Sequence, residues 1–113
     1  MMNIDTAASI APQIEIIQEQ QRQATEGPLY RVIIHNDDVT PMDFVLHILI
    51  SIFFLTGPHA LQVMYIAHFH GSAYVQTLPK LQAQKRIGLA HFSAQLSGYP
   101  LEFSIKPETG SRP

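Results

Sequence analysis

Ile34-His35-Asn36-Asp37-Asp38-Val39-Thr40-Pro41-Met42-Asp43-Phe44-Val45 joins a β-rich apolar run to the start of a helix. Upstream, Leu29 to His35 is apolar and β-branched enough for a strand buried on both faces. Downstream, Thr40 is placed to cap a helix and Pro41 to sit in its first turn, where no N–H is needed. Asp43 can reach back to that cap and favours the positive end of the helix dipole. Between strand and helix, a short turn gathers an amide and two carboxylates, with a methionine just beyond. It holds no nucleophile and no phosphate-cradling glycines. Acceptors beside an apolar wall suit a pocket that is cationic at one end of its ligand and greasy at the other.

Outward from this segment the pattern stays dense. The first helix is expected to run to about Leu55, where Thr56-Gly57-Pro58 ends it and starts a second helix reaching about His68. Gly71 turns the chain into a short strand, Ala73 to Thr77. Pro79 opens a third helix, which carries Ala83, Ile87, Ala90 and Ala94 beside Leu89, Phe92 and Leu96, with Gly98 as its C′ residue. Leu101, Phe103 and Ile105 alternate with Glu102, Ser104 and Lys106 in a half-buried strand stopped by Pro107. The order β-α-α-β-α-β predicts an α+β fold, a three-stranded antiparallel sheet packed against three helices.

Residues 1–27 contain no aromatic residue and are rich in Gln, Ala, Glu and Thr. Ile10, Ile14, Ile16 and Ile17 with Gln18 to Arg22 support a transient amphipathic turn or two, since isolated short helices are marginal in water. The expected organisation is a flexible, disordered N-terminal extension (1–27), a folded core (28–107) and a C-terminal tail (108–113).

A chain of 113 residues has room for one domain, and 46% apolar with 14% charged residues indicates a folded one. A net charge of -2 offers no electrostatic attraction to nucleic acid. Without cysteine there is neither a disulfide framework nor a thiolate zinc site. No Lys or Arg precedes Arg22, so a secretory n-region is missing. The apolar run Phe44 to Leu55 is interrupted by His47 and Ser51 and is too short to span a bilayer. A cytoplasmic protein without membrane or nucleic-acid partners is expected.

Helical spacing puts Met64 and His68 on one face, and Met42 and Val45 on another. If the first two helices form a hairpin against the sheet, these groups and Leu101 line one cavity, with Asn36, Asp38 and His68 at its mouth. That mouth suits a primary ammonium, which carries three donors; an α-amine has a pKa of about 8. A carboxylate, an amide oxygen and a neutral imidazole nitrogen accept one each, in charge-assisted bonds. Plainer readings stand beside this one. Asn-Asp-Asp before a helix is ordinary turn chemistry, methionines at helical spacing are ordinary core, and a lone histidine is ordinarily a satisfied polar group. His68 and His70, with His35 nearby, form a His-x-His pair without a third placed ligand, a weak metal signal. No Ser or Thr is tied to a base, so neither catalysis nor a cofactor is expected.

The blocks His35-Asn36-Asp37-Asp38-x-Thr40-Pro41-Met42-x-Phe44-Val45, Met64-x-x-x-His68-x-x-Gly71 and Tyr99-Pro100-Leu101 resemble the ClpS family, adaptors of the ATP-dependent Clp protease. The similarity covers about residues 29–106. It implies a non-enzymatic adaptor that binds free N-terminal Leu, Phe, Tyr or Trp (N-degrons) of proteins to be destroyed. Substrates would pass to a hexameric Clp unfoldase of the ClpA or ClpC type, paired with ClpP. The resemblance assigns the α-amine to Asn36, Asp38 and His68, with Asp37 on the same rim. It assigns the side-chain pocket to Ile34, Thr40, Met42, Val45, Met64 and Leu101, with Met42 as a gate against β-branched residues. It also implies that the unfoldase engages the N-terminal extension during handover.

Departures from the family pattern carry expectations too. Ala67 stands beside the pocket where a larger aliphatic residue is common, which implies a wider or differently selective pocket. Among docking residues for the unfoldase, Leu81 replaces a common glutamate, while Arg86 keeps a positive charge where lysine is common. The first helix is apolar on more than one face, and Ile50 and Phe54 form either an exposed patch for self-association or a divergent partner, or a surface covered by Leu81 or the tail. These departures allow a second expectation, a divergent interaction module that has lost degron binding or Clp docking.

Overall fold

Leu29–His35 forms strand β1, the middle strand of a three-stranded antiparallel sheet in the computed structural model, which describes residues 13–22 and 27–108. Its neighbours are β2 (Ser72–Pro79) and β3 (Glu102–Pro107), in the order β2-β1-β3. Val32 and Ile34 are fully buried, while Arg31, Ile33 and His35 between them stay partly open. The strand is therefore buried on one face, not two. The other face is a polar-aromatic surface: the Arg31 guanidinium lies 4.8 Å over the Tyr74 ring, and His35 Nε2 shares a 2.7 Å hydrogen bond with Ser104 Oγ. The β-branched run reflects strand preference more than double burial.

Between Val32 and Ile33 the register with β2 slips, from Gln76 to Tyr74, and the extra residue Val75 turns into the core. At the other edge, β3 is blunted. Phe103 N–H donates to His91 Nε2 at 2.9 Å, and Pro107 has no N–H to offer a passing strand.

The three expected helices are α2 (Met42–Ser51), α3 (Gly57–His70) and α4 (Lys80–Leu96), and a fourth, α1 (13–22), precedes them among the described residues. Every residue of α1 is exposed, including Ile14, Ile16 and Ile17. The extension thus forms a longer helix than a transient turn. Residues 1–12, with Ile10, and 23–26 lie outside the described residues, as does 109–113 of the C-terminal tail. Glu108 still belongs to the sheet end, its N–H donating to Leu29 C=O at 2.9 Å.

Helix α2 departs from its sequence reading at both ends. Its N-cap is Pro41, with no side-chain capping bond, and Asp43 Oδ1 accepts from Phe44 N–H instead of from the cap. It stops at Ser51, and Leu55 N–H donates back to Leu49 C=O across a turn in which Phe54 has φ 59°. Apolar residues continue past the helix because Phe53 and Leu55 enter the core from that turn, so hydrophobicity alone could not mark the stop. Phe53 stacks on Phe103 at 4.9 Å between centroids.

The other termini follow from their residues. Thr56 Oγ1 accepts from His59 N–H at the start of α3, and Pro58 sits in its first turn. Helix α4 turns Ala83, Ala90 and Ala94 inward, and their short side chains allow a close approach to the sheet. It ends in a Schellman motif, with Gly98 N–H on Gln95 C=O, Tyr99 N–H on Ala94 C=O and Gly98 at φ 76°. No helix among the described residues is long and apolar enough to cross a membrane.

Candidate functional site

Sheet register decides where the site lies. His35 at the end of β1 is opposite Ser72 at the start of β2 and Glu102 at the start of β3. Asn36, Gly71 and Leu101, each one residue outside its strand, therefore meet at the same end of the sheet. Asn36 N–H donates to Gly71 C=O at 2.9 Å, which ties the loop to the end of α3. Gly71 has φ 90°, a left-handed conformation suited to glycine, and its own N–H closes α3 on Ala67 C=O. Tyr99 packs edge-on against Phe44 at 4.9 Å and holds the segment leading to Leu101 against α2.

A cavity of about 320 Å³ opens at this junction. Ile34, Asn36, Asp37, Asp38, Thr40, Met42, Val45, Met64, Ala67, His68 and Leu101 line it, so the structure gathers every residue that the sequence places in the two-ended pocket. It adds His35, Val39 and Pro41, which the sequence reading leaves out. Their neighbours in the motif were signal enough for a wall, but not for which loop atoms turn inward. Ile34, Met64, Ala67 and Leu101 form a buried floor. Met42, at 43% exposure, stands at the mouth.

The rim divides into a committed carboxylate and free polar groups. Asp37 Oδ1 accepts from Val39 N–H at 2.9 Å and Thr40 N–H at 2.6 Å, and its Oδ2 accepts from Thr40 Oγ1 at 2.8 Å. Burial raises the Asp37 pKa, but the bonds from the Thr40 backbone, the Thr40 hydroxyl and the Val39 backbone outweigh it and hold the carboxyl below its ordinary value. The cap expected of Thr40 is not made; Asp37 instead ties the loop ahead of α2, with Thr40 donating to it. By contrast, the side chains of Asn36, Asp38 and His68 have no hydrogen-bond partner among the described residues. His68 is steadied by the Phe69 ring, edge-on at 5.0 Å.

Thr40 carries the cavity's one hydroxyl, and its proton is committed to Asp37. No three metal-type ligands converge among the described residues. What the arrangement can do is accept hydrogen bonds from a cation at the rim and bury an apolar group on the floor.

The two residues named for docking, both on α4, keep different neighbours. Leu81 is half-buried in a cleft with Gly27, Pro28, Lys80 and Gln84. Arg86 lies with its guanidinium 4.9 Å over the Phe54 ring and donates through Nη1 to Gln76 Oε1 at 2.9 Å. Phe54 and Gln76 were not foreseen as its companions, because no short spacing links them to Arg86. Ile50 and Phe54 are exposed, at 43% and 71%, rather than covered by Leu81.

Fold and cavity together define a small α+β binding module without a catalytic apparatus among the described residues. The chain belongs to the ClpS family: the model of the ATP-dependent Clp protease adaptor protein ClpS matches residues 25–104. It is 36% identical over 87 residues to an ATP-dependent Clp protease adapter protein ClpS of Desulfatibacillum aliphaticivorans, covering 76% of this chain and 84% of that one. The corresponding protein of Nitratidesulfovibrio vulgaris is 33% identical over 84 residues, covering 74% of this chain and 84% of the relative. Among solved structures, Agrobacterium tumefaciens ClpS2 bound to L-phenylalaninamide superposes with a TM-score of 0.70 at 34% identity, covering 74% of this chain and all of that one. The protein is thus an adaptor of the Clp protease and not itself an enzyme.

Proposed function

We propose that this adaptor binds the free N-terminal residue of protein substrates, Leu, Phe, Tyr or Trp, and delivers them to a Clp unfoldase of the ClpA or ClpC type paired with ClpP. The observation that carries this reading is the set of uncommitted polar groups, Asn36, Asp38 and His68, above the buried floor of Ile34, Met64 and Leu101. An α-ammonium donates to the Asp38 carboxylate, the Asn36 amide oxygen and a neutral His68 nitrogen, while the first side chain enters the cavity. Met42 at the mouth disfavours branching at Cβ, and the small Ala67 leaves room for a ring. Phenylalaninamide, the molecule bound by the A. tumefaciens relative, offers a free amine and a benzyl group, the same two ends.

Fluorescence anisotropy with peptides differing only in residue one tests the reading. A peptide starting with Phe or Leu binds. The same peptide acetylated covers these acceptors without pairing them, a cost of about 1–3 kcal/mol, and so binds about tenfold or more weaker. Val or Asp at residue one weakens binding as well. The His68→Ala variant loses affinity and keeps its melting temperature. Equal affinity for free and acetylated peptides overturns the mechanism. Leu81, where the family commonly has a docking glutamate, and the exposed Ile50 and Phe54 favour a second reading, a module that has lost degron binding or Clp docking; a folded wild-type chain that binds neither peptide nor unfoldase establishes it.

A further inference from the structure

Tyr99-Pro100-Leu101 crosses from α4 to β3 without regular structure, yet Leu101 at its end is buried and lines the ligand cavity. Leu101 also lines a second cavity of about 220 Å³, which it shares with His91, Gln95 and Glu102. With open space beside it in both cavities, its position depends on how the chain is tied on either side. Upstream, Tyr99 N–H donates to Ala94 C=O and the Tyr99 ring packs on Phe44. Downstream the tie is a single side chain, the His91 ring, whose Nε2 accepts from Phe103 N–H at 2.9 Å. Strand β3 is at the edge of the sheet, so an amide turned away from β1 meets no other strand. A backbone amide can only donate, so Nε2 must offer a lone pair, and the proton of the neutral ring sits on Nδ1. A protonated ring has two donors and no acceptor, and it sets donor against donor at Phe103. The ionisable residues that share the spaces beside His91 are Tyr99 and Glu102, from the crossing segment; the α4 and β3 residues lining those spaces, such as Gln84, Gln95 and Ser104, carry no charge. The exposed Glu102 carboxylate gives an imidazolium a partner other than the amide it has lost.

We infer that His91, which does not itself line the ligand cavity, is a positioning residue for it: the neutral ring holds the Leu101 wall in place through Phe103, and a proton on Nε2 releases that wall and weakens ligand binding. The support is complete at the higher pH, where the ring is neutral, and is lost as the pH falls. Histidine is the side chain whose charge ordinarily changes between about pH 5 and 8. The inference rests on the proposed binding of the first residue of a substrate and adds to it an acid-sensitive support outside the ligand's reach.

The test uses the full-length chain and two variants. Glutamine carries its amide oxygen as far along the side chain as histidine carries Nε2, so His91→Gln keeps an acceptor that does not titrate, whereas His91→Phe keeps a ring without an acceptor. Affinity for a fluorescent Phe-peptide is measured at pH 7.5 and pH 5.5, together with the protection of the Phe103 amide against hydrogen exchange. At pH 7.5, His91→Gln is expected to bind within twofold of wild type and His91→Phe at least fivefold more weakly. Between the two pH values wild type is expected to lose at least threefold more affinity than His91→Gln, because any loss from protonating His68 is common to both and cancels. Phe103 protection is expected to fall with pH in wild type and to hold in His91→Gln. Equal acid losses of affinity in wild type and His91→Gln overturn the inference, even if His91→Phe fails to fold. Wild-type Phe103 protection that stays constant between the two pH values overturns it as well. A wild-type chain that loses this protection in acid but binds no Phe-peptide at pH 7.5 overturns the degron reading and leaves the His91 support standing.

Discussion

Asp37 accepts hydrogen bonds from the Val39 and Thr40 backbones and from the Thr40 hydroxyl, while its neighbour Asp38 is left open. Adjacent residues of the same type thus do different work: one shapes the loop and the other faces the ligand space. Because these bonds favour the charged form, Asp37 has a lowered pKa in the folded chain, and its contribution to stability is fully present above the ordinary value of 3.8. That contribution is lost as pH falls through the lowered folded value. The Asp37→Asn variant is therefore expected to be less stable than wild type at pH 7, by about 1 kcal/mol, as for weakened hydrogen bonds to a charged acceptor. The gap closes as the pH is taken well below 3.8, where the wild-type carboxyl is protonated as well. Urea unfolding at several pH values measures this, and a gap that stays constant down to pH 2.5 would contradict the role.

At the scale of elements, two glycines stop two helices by the same conformation with different consequences. Gly71 ends α3 at φ 90° and Gly98 follows α4 at φ 76°, and a Cβ built on either meets no atom within 4 Å. Alanine at either site therefore costs backbone strain alone, about 1–2 kcal/mol. Only Gly71 holds the Asn36 N–H, so Gly71→Ala should also displace the rim, whereas Gly98→Ala should not. Thermal melts showing similar losses, with peptide affinity reduced only in Gly71→Ala, are the expected result. The helix boundaries teach a related lesson. The stop of α3 was legible because Gly71 announces it. The stop of α2 was hidden, because Phe53 and Leu55 stay apolar to reach the core across a turn.

For the whole molecule, the sheet core and the N-terminal extension are energetically separable as far as the described residues reach. Every residue of α1 is exposed, so none of them joins the buried core. Removing residues 1–27 is expected to shift the melting temperature by no more than a degree or two and to leave Phe-peptide affinity within twofold, while substrate degradation by the complete Clp protease falls. Differential scanning calorimetry, anisotropy and a degradation assay on the truncated chain measure these; a large drop in melting temperature would place the extension in the fold.

The sequence by itself determined the order of elements and the α+β class, and its motifs named most of the residues that line the cavity. Those rest on local signals: periodicity, Gly and Pro punctuation, and a dense motif around Asn36 and Thr40. Only the tertiary structure decided which carboxylate is committed to the loop, that β1 is buried on one face, and that Arg86 lies over Phe54. These depend on hydrogen bonds and contacts between groups brought together by sheet register and helix packing. No spacing along the chain encodes them.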